Sequence, residues 1–216
     1  MKRVVVALSV MLAVTSMTAH AENIQFHAKE RFVDASALDF QEQGDCVIAS
    51  YWYVAGFKDR IQESGQPTYQ PGIVLSLYKD QVCLVHDDCG DKYEYTTLVD
   101  VFGESDLPAT ALQIDSKLTS ATVNATISAF DYLNGAPITL NVNIAAAGVG
   151  DSDPEKEHVQ LSSPGFRVNE RFSGTFRDAE AAVSVTDEAG TNYTPDPPGR
   201  ATLGNIKVGD GSVSHP

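Results

Sequence analysis

The chain has 216 residues, of which 29 are acidic and 15 basic, giving a formal net charge of -14 at pH 7, and 43% are hydrophobic. This composition is typical of a folded globular protein and excludes a disordered, collagen-like or proline-rich chain. The acidic excess also disfavours binding to nucleic acid, whose phosphate backbone requires a basic surface.

The first 21 residues have the features of a secretory signal peptide. Lys2 and Arg3 form a short positive segment, a largely apolar segment of eleven residues follows at 4–14, and Ala19 and Ala21 give an A-x-A cleavage pattern. The apolar segment is too short to cross a bilayer, and no later stretch of the sequence is long enough for a membrane-spanning helix. We therefore expect cleavage near Ala21 and a secreted or periplasmic protein without a membrane anchor.

The rest of the chain shows the period-two alternation of strands that bury one face. The alternation is clearest at 120–130, 138–147 and 166–176, whereas 45–55 and 73–78 are apolar on both faces and predict central strands. Further strands are predicted at 82–86, 93–102, 181–186 and 202–208. Helix is expected, at most, in short turns near 35–43 and 103–111.

Turn residues separate these strands. The Asn134-Gly135 pair within Asp131–Gly135 is a strong hairpin signal. Other turns are predicted at 148–154, 163–165, 187–190 and 195–199. About nine strands with short turns predict an all-β fold, an antiparallel β-sandwich or a small, partly open barrel. We expect one mature domain over 22–216, with 103–109 as the place for a subdivision if there are two.

The three cysteines, Cys46, Cys83 and Cys89, meet an oxidising environment if the chain is exported. The segment between Cys83 and Cys89 is predicted to be the end of a strand and the following turn. Because strands that return through such a turn bring the two sulfurs close together, we favour a Cys83–Cys89 disulfide. Cys46 is the alternative partner, because its strand could lie beside that of Cys83. A zinc site from Cys83, His86 and Cys89 is a further alternative, which the oxidising compartment disfavours.

An acidic turn at Asp151, Asp153 and Glu155 offers oxygen ligands of the kind that Ca²⁺ prefers. The turn lacks the complete EF-hand pattern, so the simpler interpretation, a solvated acidic turn, is the one that we favour. No other metal or cofactor is expected from the sequence.

Three arginines, Arg167, Arg171 and Arg177, follow the polar face of the strand that starts at 166. If this strand neighbours those at 120–130 and 138–147, their polar faces form one hydrogen-bonding surface with a positive stripe. Such a surface suits an anionic glycan or a protein partner. An ordinary solvated sheet face is the alternative interpretation.

The sequence contains no signature of catalysis. It has no G-x-S-x-G nucleophile motif and no glycine-rich phosphate loop, and its histidines are far apart. We therefore predict an exported, non-catalytic binding or structural module, whose ligand the sequence does not identify. The alternatives are a secreted hydrolase with His158 or His86 beside a carboxylate, and a small outer-membrane β-barrel.

Overall fold

The computed structural model describes residues 24–63, 68–87, 90–163, 166–194 and 199–214. These residues form ten strands and no helix, and their pairings are antiparallel. The strands are β1 (Ile24–Gln43), β2 (Cys46–Glu63), β3 (Thr68–Asp87), β4 (Gly90–Asp106), β5 (Leu112–Ile114), β6 (Ser120–Asp131), β7 (Ala136–Gly148), β8 (Asp153–Ser163), β9 (Phe166–Asp187) and β10 (Gly199–Ser214). The antiparallel all-β fold predicted from the sequence is confirmed. Within the described ranges, no helix is long and apolar enough to cross a membrane, and the proposed signal peptide lies outside them.

Strand β6 shows how alternation in the sequence builds this fold. Its side chains alternate strictly between exposed and buried along its whole length, and it pairs with β7 through the predicted hairpin. The Asp131 carboxylate accepts hydrogen bonds from the backbone N–H groups of Leu133 (2.9 Å) and Asn134 (3.1 Å). Gly135 adopts a φ of 63°, which glycine reaches without steric cost. The turn chemistry and the periodicity therefore agree at this hairpin.

The strands belong to one sheet that closes into a ring but is not a regular barrel. Strands β1 to β4 pair in chain order, and β10 pairs with both β9 and β1, which closes the ring. β7 and β8 follow one another along the same side of β9, where they pair with residues 179–187 and 166–176 respectively. The predicted turn at 148–154 is therefore an interruption between two collinear strands.

The ring is closed only in its middle, because its strands are staggered. Pairing between β1 and β10 ends at Ser36, so β1 continues beyond the ring with β2, β3 and β4 alone. We call this extension the upper sheet; it comprises residues 37–43, 46–52, 77–87 and 90–100. In the opposite direction β8, β9, β10, β1, β2 and the start of β3 extend together as a lower sheet. The lower sheet comprises residues 153–163, 166–176, 205–214, 24–31, 58–63 and 68–71.

The hydrophobic core fills the interior of the ring. The inward side chains of β1, β3, β6, β7 and β10 are apolar there, and several are fully inaccessible to solvent, including Val33, Ile73, Leu75, Leu140 and Leu203. The segment between β4 and β6 folds into the same core, since Leu107, Leu112 and Leu118 belong to it. Leu112 pairs with Val123 on β6 and packs against Gly56 on β2, so this segment crosses the interior.

Strand β1 is the main departure from the sequence prediction, which allowed only a short helical turn near 35–43. The structure has a strand of 20 residues there. Its inward positions change along the strand from basic (Lys29) to apolar (Val33) to acidic (Asp39), so the face that is buried cannot be recognised from polarity. The second suggested helical turn, near 103–111, is the end of β4 followed by an irregular turn.

Candidate functional site

The inner face of the lower sheet is basic. The inner face, which continues the interior of the ring, carries basic side chains from five strands. They are Lys29 and Arg31 of β1, Lys58 and Arg60 of β2, Lys156 of β8, Arg171 of β9 and Lys207 of β10. None of the described inward positions of this sheet is occupied by Asp or Glu. A local excess of positive charge therefore lies on a protein whose net charge is -14.

Four of these cations share a single row across the strands. The strand registers place Lys156 opposite Ser173, Ser173 opposite Lys207, Lys207 opposite Lys29, and Lys29 opposite Arg60. We call this set the cationic row. Because neighbouring strands lie about 4.8 Å apart, the row spans roughly 19 Å from β8 to β2. Like charges directly opposite one another destabilise a sheet, so the row is electrostatically unfavourable by itself.

A second row lies one residue pair closer to the ring. Arg31 is opposite Lys58 on one side and Asn205 on the other, and Asn205 is opposite Thr175. The Lys58 Nζ donates hydrogen bonds to the carbonyl oxygens of Leu112 (3.1 Å) and Ala109 (3.4 Å), which fixes its ammonium group at the edge of the core. Hydroxyl and amide groups thus lie beside the charges on this face.

Two adjoining cavities lie over the rows and share Lys207. The larger cavity, of about 530 Å³, is lined by Lys156, His158 and Arg171, among others. The smaller cavity, of about 370 Å³, is lined by the cations of β1 and β2. Glu157 and Glu30 border the cavities, although strand alternation directs both from the opposite face. The His158 Nε2 lies 2.7 Å from Asn169 Oδ1. These groups can hold an anion by charge and orient its neutral parts by hydrogen bonds.

The arginines singled out from the sequence all lie on inward positions of β9. Arg171 is exposed and lines the larger cavity, and Arg177 is half-buried, with an Nε that has no hydrogen-bond partner among the described residues. The side chain of Arg167 lies outside the described part of the structure. The polar residues of β6 and β7 face outward, so they do not join these arginines in one surface.

Sequence reasoning missed most of the cationic surface. A usable signal was present, because Lys29 and Arg31, and again Lys58 and Arg60, are separated by one residue and so share a strand face. Those pairs come from strands that the alternation did not define clearly. Lys156 and Lys207 join them only through the closure of the ring.

The disulfide favoured from the sequence, Cys83–Cys89, is wrong. The structure contains a Cys46–Cys83 disulfide, which the sequence allowed as the alternative. The register of β2 and β3 places these two residues directly opposite each other, with 3.9 Å between their Cα atoms. Cys89 lies outside the described residues, and the bonded Cys83 is not available as a thiolate ligand for zinc. The bond indicates an oxidising, extracellular type of environment.

The proposed calcium ligands lie at the junction of β7 and β8. Asp151 is in the interruption itself, and Asp153 and Glu155 follow on β8, all of them exposed. Among the described residues, no group of three or more His, Cys, Asp or Glu side chains is arranged to hold a metal ion.

The two histidines of the hydrolase alternative have different surroundings. His86 Nδ1 lies 2.7 Å from the Asp91 carboxylate at an exposed end of the upper sheet. His158 contacts the amide of Asn169 and not a carboxylate.

A half-buried acidic pair lies on the outer face of the lower sheet. Glu30 and Asp59 are directly opposite each other on β1 and β2. Burial, together with repulsion by Asp59, raises the pKa of Glu30 to about 7, and burial raises the pKa of Asp59 to about 6. The Oδ1 atom of Asp59 is buried without a hydrogen-bond partner among the described residues. This pair changes charge near neutral pH.

The outer face of the upper sheet carries exposed aromatic and aliphatic side chains among charged ones. Its largest exposed side chains are Leu38, Phe40, Tyr51, Tyr78, Tyr93 and Tyr95. Trp52, which alternates to the other face, is only 4% exposed and belongs to the core.

Comparison with known proteins shows only weak structural similarity. No protein-family model and no curated protein matches the chain. A solved structure described as the enduracididine biosynthesis enzyme MppR, complexed with the condensation product of pyruvate and imidazole 4-carboxaldehyde, aligns with 94% of this chain and 91% of its own. The identity is 6% and the TM-score 0.25, values too low to support an argument about function.

Proposed function

We propose that this protein is an exported binding module that holds an anionic ligand on the inner face of its lower sheet. The observation that carries the proposal is the cationic row, in which Lys207, Lys29 and Arg60 occupy directly opposite positions on three neighbouring strands. Such an arrangement is unfavourable without a counter-charge, and no acidic side chain occupies the described inward positions. An anion bound over the row supplies that counter-charge.

Export is supported by two independent features. The disulfide between Cys46 and Cys83 is of the kind that persists in oxidising compartments. The first 21 residues have the charge, length and cleavage pattern of a signal peptide. The ligand is therefore expected outside the cytoplasm.

A non-catalytic role fits the chemistry of this face better than hydrolysis. Its titratable groups are cations and His158, whose ring contacts Asn169 and not a carboxylate that could orient it as a general base. The surface can attract and position an anion, but it lacks a paired acid and base at its described inward positions.

The proposal is tested by measuring the binding of dextran sulfate to the mature, oxidised chain by isothermal titration calorimetry. We expect binding that weakens as salt is raised, because these contacts are exposed to solvent. The double variant Lys29→Gln/Lys207→Gln should bind dextran sulfate at least about fivefold more weakly than the wild type, since two charge contacts are lost.

The matched control is Lys79→Gln/Lys117→Gln, which removes the same charge from positions outside the lower sheet. It should bind as the wild type does. Equal losses in the two double variants would contradict the proposal, as would an absence of binding at low salt.

A further inference from the structure

We infer that the ligand is a linear polysaccharide with carboxylate or sulfate groups along its length, and that it lies across the strands, along the cationic row. This inference rests on the proposed function and specifies the ligand of the same surface. It follows from the length of the row, from its open ends and from the polar groups between its charges.

The length of the row suits a chain with repeated charges. Lys156 at one end and Arg60 at the other are separated by four strand spacings, roughly 19 Å. A single small anion contacts one or two of these side chains and leaves the repulsion among the others uncompensated. An extended polyanion neutralises all four at once.

Both ends of the row lie at the margins of the sheet. On one side, β8 pairs only with β9, so the surface ends at a free strand edge beyond Lys156. On the other side, the pairing of β4 with β3 begins only at Gly72, which leaves the adjoining part of β3 as the margin. The two cavities share Lys207 as a lining residue, so they adjoin near the middle of the row. A polymer can therefore extend past either end.

The groups between the cations favour a sugar over a nucleic acid. Ser173 lies within the row, and Thr175, Asn205 and the His158–Asn169 pair lie beside it. Hydroxyl and amide groups match the hydroxyl groups of a sugar. Proteins that bind single-stranded nucleic acids stack the bases on several aromatic rings. At the inward positions of the lower sheet whose side chains the structure describes, the His158 ring is the only aromatic one, and Phe172 adds a ring at the border of the larger cavity.

Oligomers of defined length test the inference. Oligogalacturonates of two, four, six and eight sugars, which carry one carboxylate per sugar, are titrated against the mature chain by calorimetry at low salt. We expect the affinity to rise with length until the oligomer spans the row and then to level off.

Lys156→Gln should weaken binding of the eight-sugar oligomer about two- to fivefold, as expected for loss of one exposed charge contact. It should leave binding of the two-sugar oligomer unchanged, because Lys207, Lys29 and Arg60 can hold that oligomer. Lys117→Gln, the matched control, should change neither.

Other outcomes would overturn the inference without removing the proposed function. Affinity that does not depend on oligomer length would indicate a small anion. So would inorganic sulfate that displaces the eight-sugar oligomer as effectively as a free oligomer does at the same concentration of negative charge. Tighter binding of an eight-residue oligothymidylate than of the eight-sugar oligomer would indicate a nucleic acid. If neither these probes nor dextran sulfate binds, the proposed function itself fails.

Discussion

Replacing Glu30 by Gln should make this protein more stable above neutral pH and reduce the dependence of its stability on pH. In the folded protein Glu30 is opposite Asp59 and beside Ile206 of β10, and its pKa is raised from 4.5 to about 7. The folded state therefore holds a proton that the unfolded state releases between about pH 4.5 and 7. Over that interval the free energy of unfolding falls as the pH rises. The stabilising contribution is complete below pH 4.5 and is lost above pH 7.

The raised pKa of Glu30 changes the free energy of unfolding by at most about 3 kcal/mol between low and high pH, because one pKa unit is equivalent to 1.36 kcal/mol. Partial solvent screening of the pair reduces this to about 2 kcal/mol. Urea unfolding of the oxidised protein at pH 5, 6, 7 and 8 measures the effect. We expect Glu30→Gln to unfold at a higher urea concentration than the wild type at pH 8 but not at pH 5. Glu42→Gln removes the same charge from an exposed position near the end of β1 and is the control for overall charge. Equal pH slopes for the wild type and Glu30→Gln would refute the reasoning.

Two further predictions concern the disulfide of the upper sheet and a close contact between β1 and β10. Peptide mapping without reduction should recover Cys46 linked to Cys83, and a Cys83–Cys89 peptide would contradict the observed register. In urea unfolding, the Cys46→Ser/Cys83→Ser variant should lose about 3–4 kcal/mol of stability, the value that the chain-entropy relation gives for a separation of 37 residues. Gly204→Ala should lower stability by about 1–3 kcal/mol in thermal unfolding, because its new methyl group meets the Phe32 ring. Adding Phe32→Leu should restore part of that loss, and a double variant no more stable than Gly204→Ala would show that the ring is not the cause.

The local part of the fold could be predicted from the sequence because the relevant interactions are local. The alternation of β6 and β7 and the Asn134-Gly135 turn act within a few residues of one another, and the hairpin forms as expected. Strand β1 could not be recognised because its inward positions pass from a basic surface through the core to an acidic surface. The period remains two along β1, but no single face stays apolar.

The candidate site could be predicted only in part, because its residues come from distant parts of the chain. The sequence indicated Arg171 as part of a positive surface, and the structure places it beside the cationic row. The row itself depends on the pairing of Lys207 with Lys29 across the closure of the ring. The disulfide has the same origin, since the register of β2 and β3 decides that Cys46 is opposite Cys83.

The sequence by itself therefore determined the all-β class and the position of the β6–β7 hairpin. Tertiary structure alone decided which cysteines pair, which face of β1 is buried and how Lys156, Lys207, Lys29 and Arg60 come into one row. The physical reason is the range of the interactions. Side-chain alternation and turn geometry are set by neighbouring residues, whereas strand order and register are set by the burial of one core common to the whole ring.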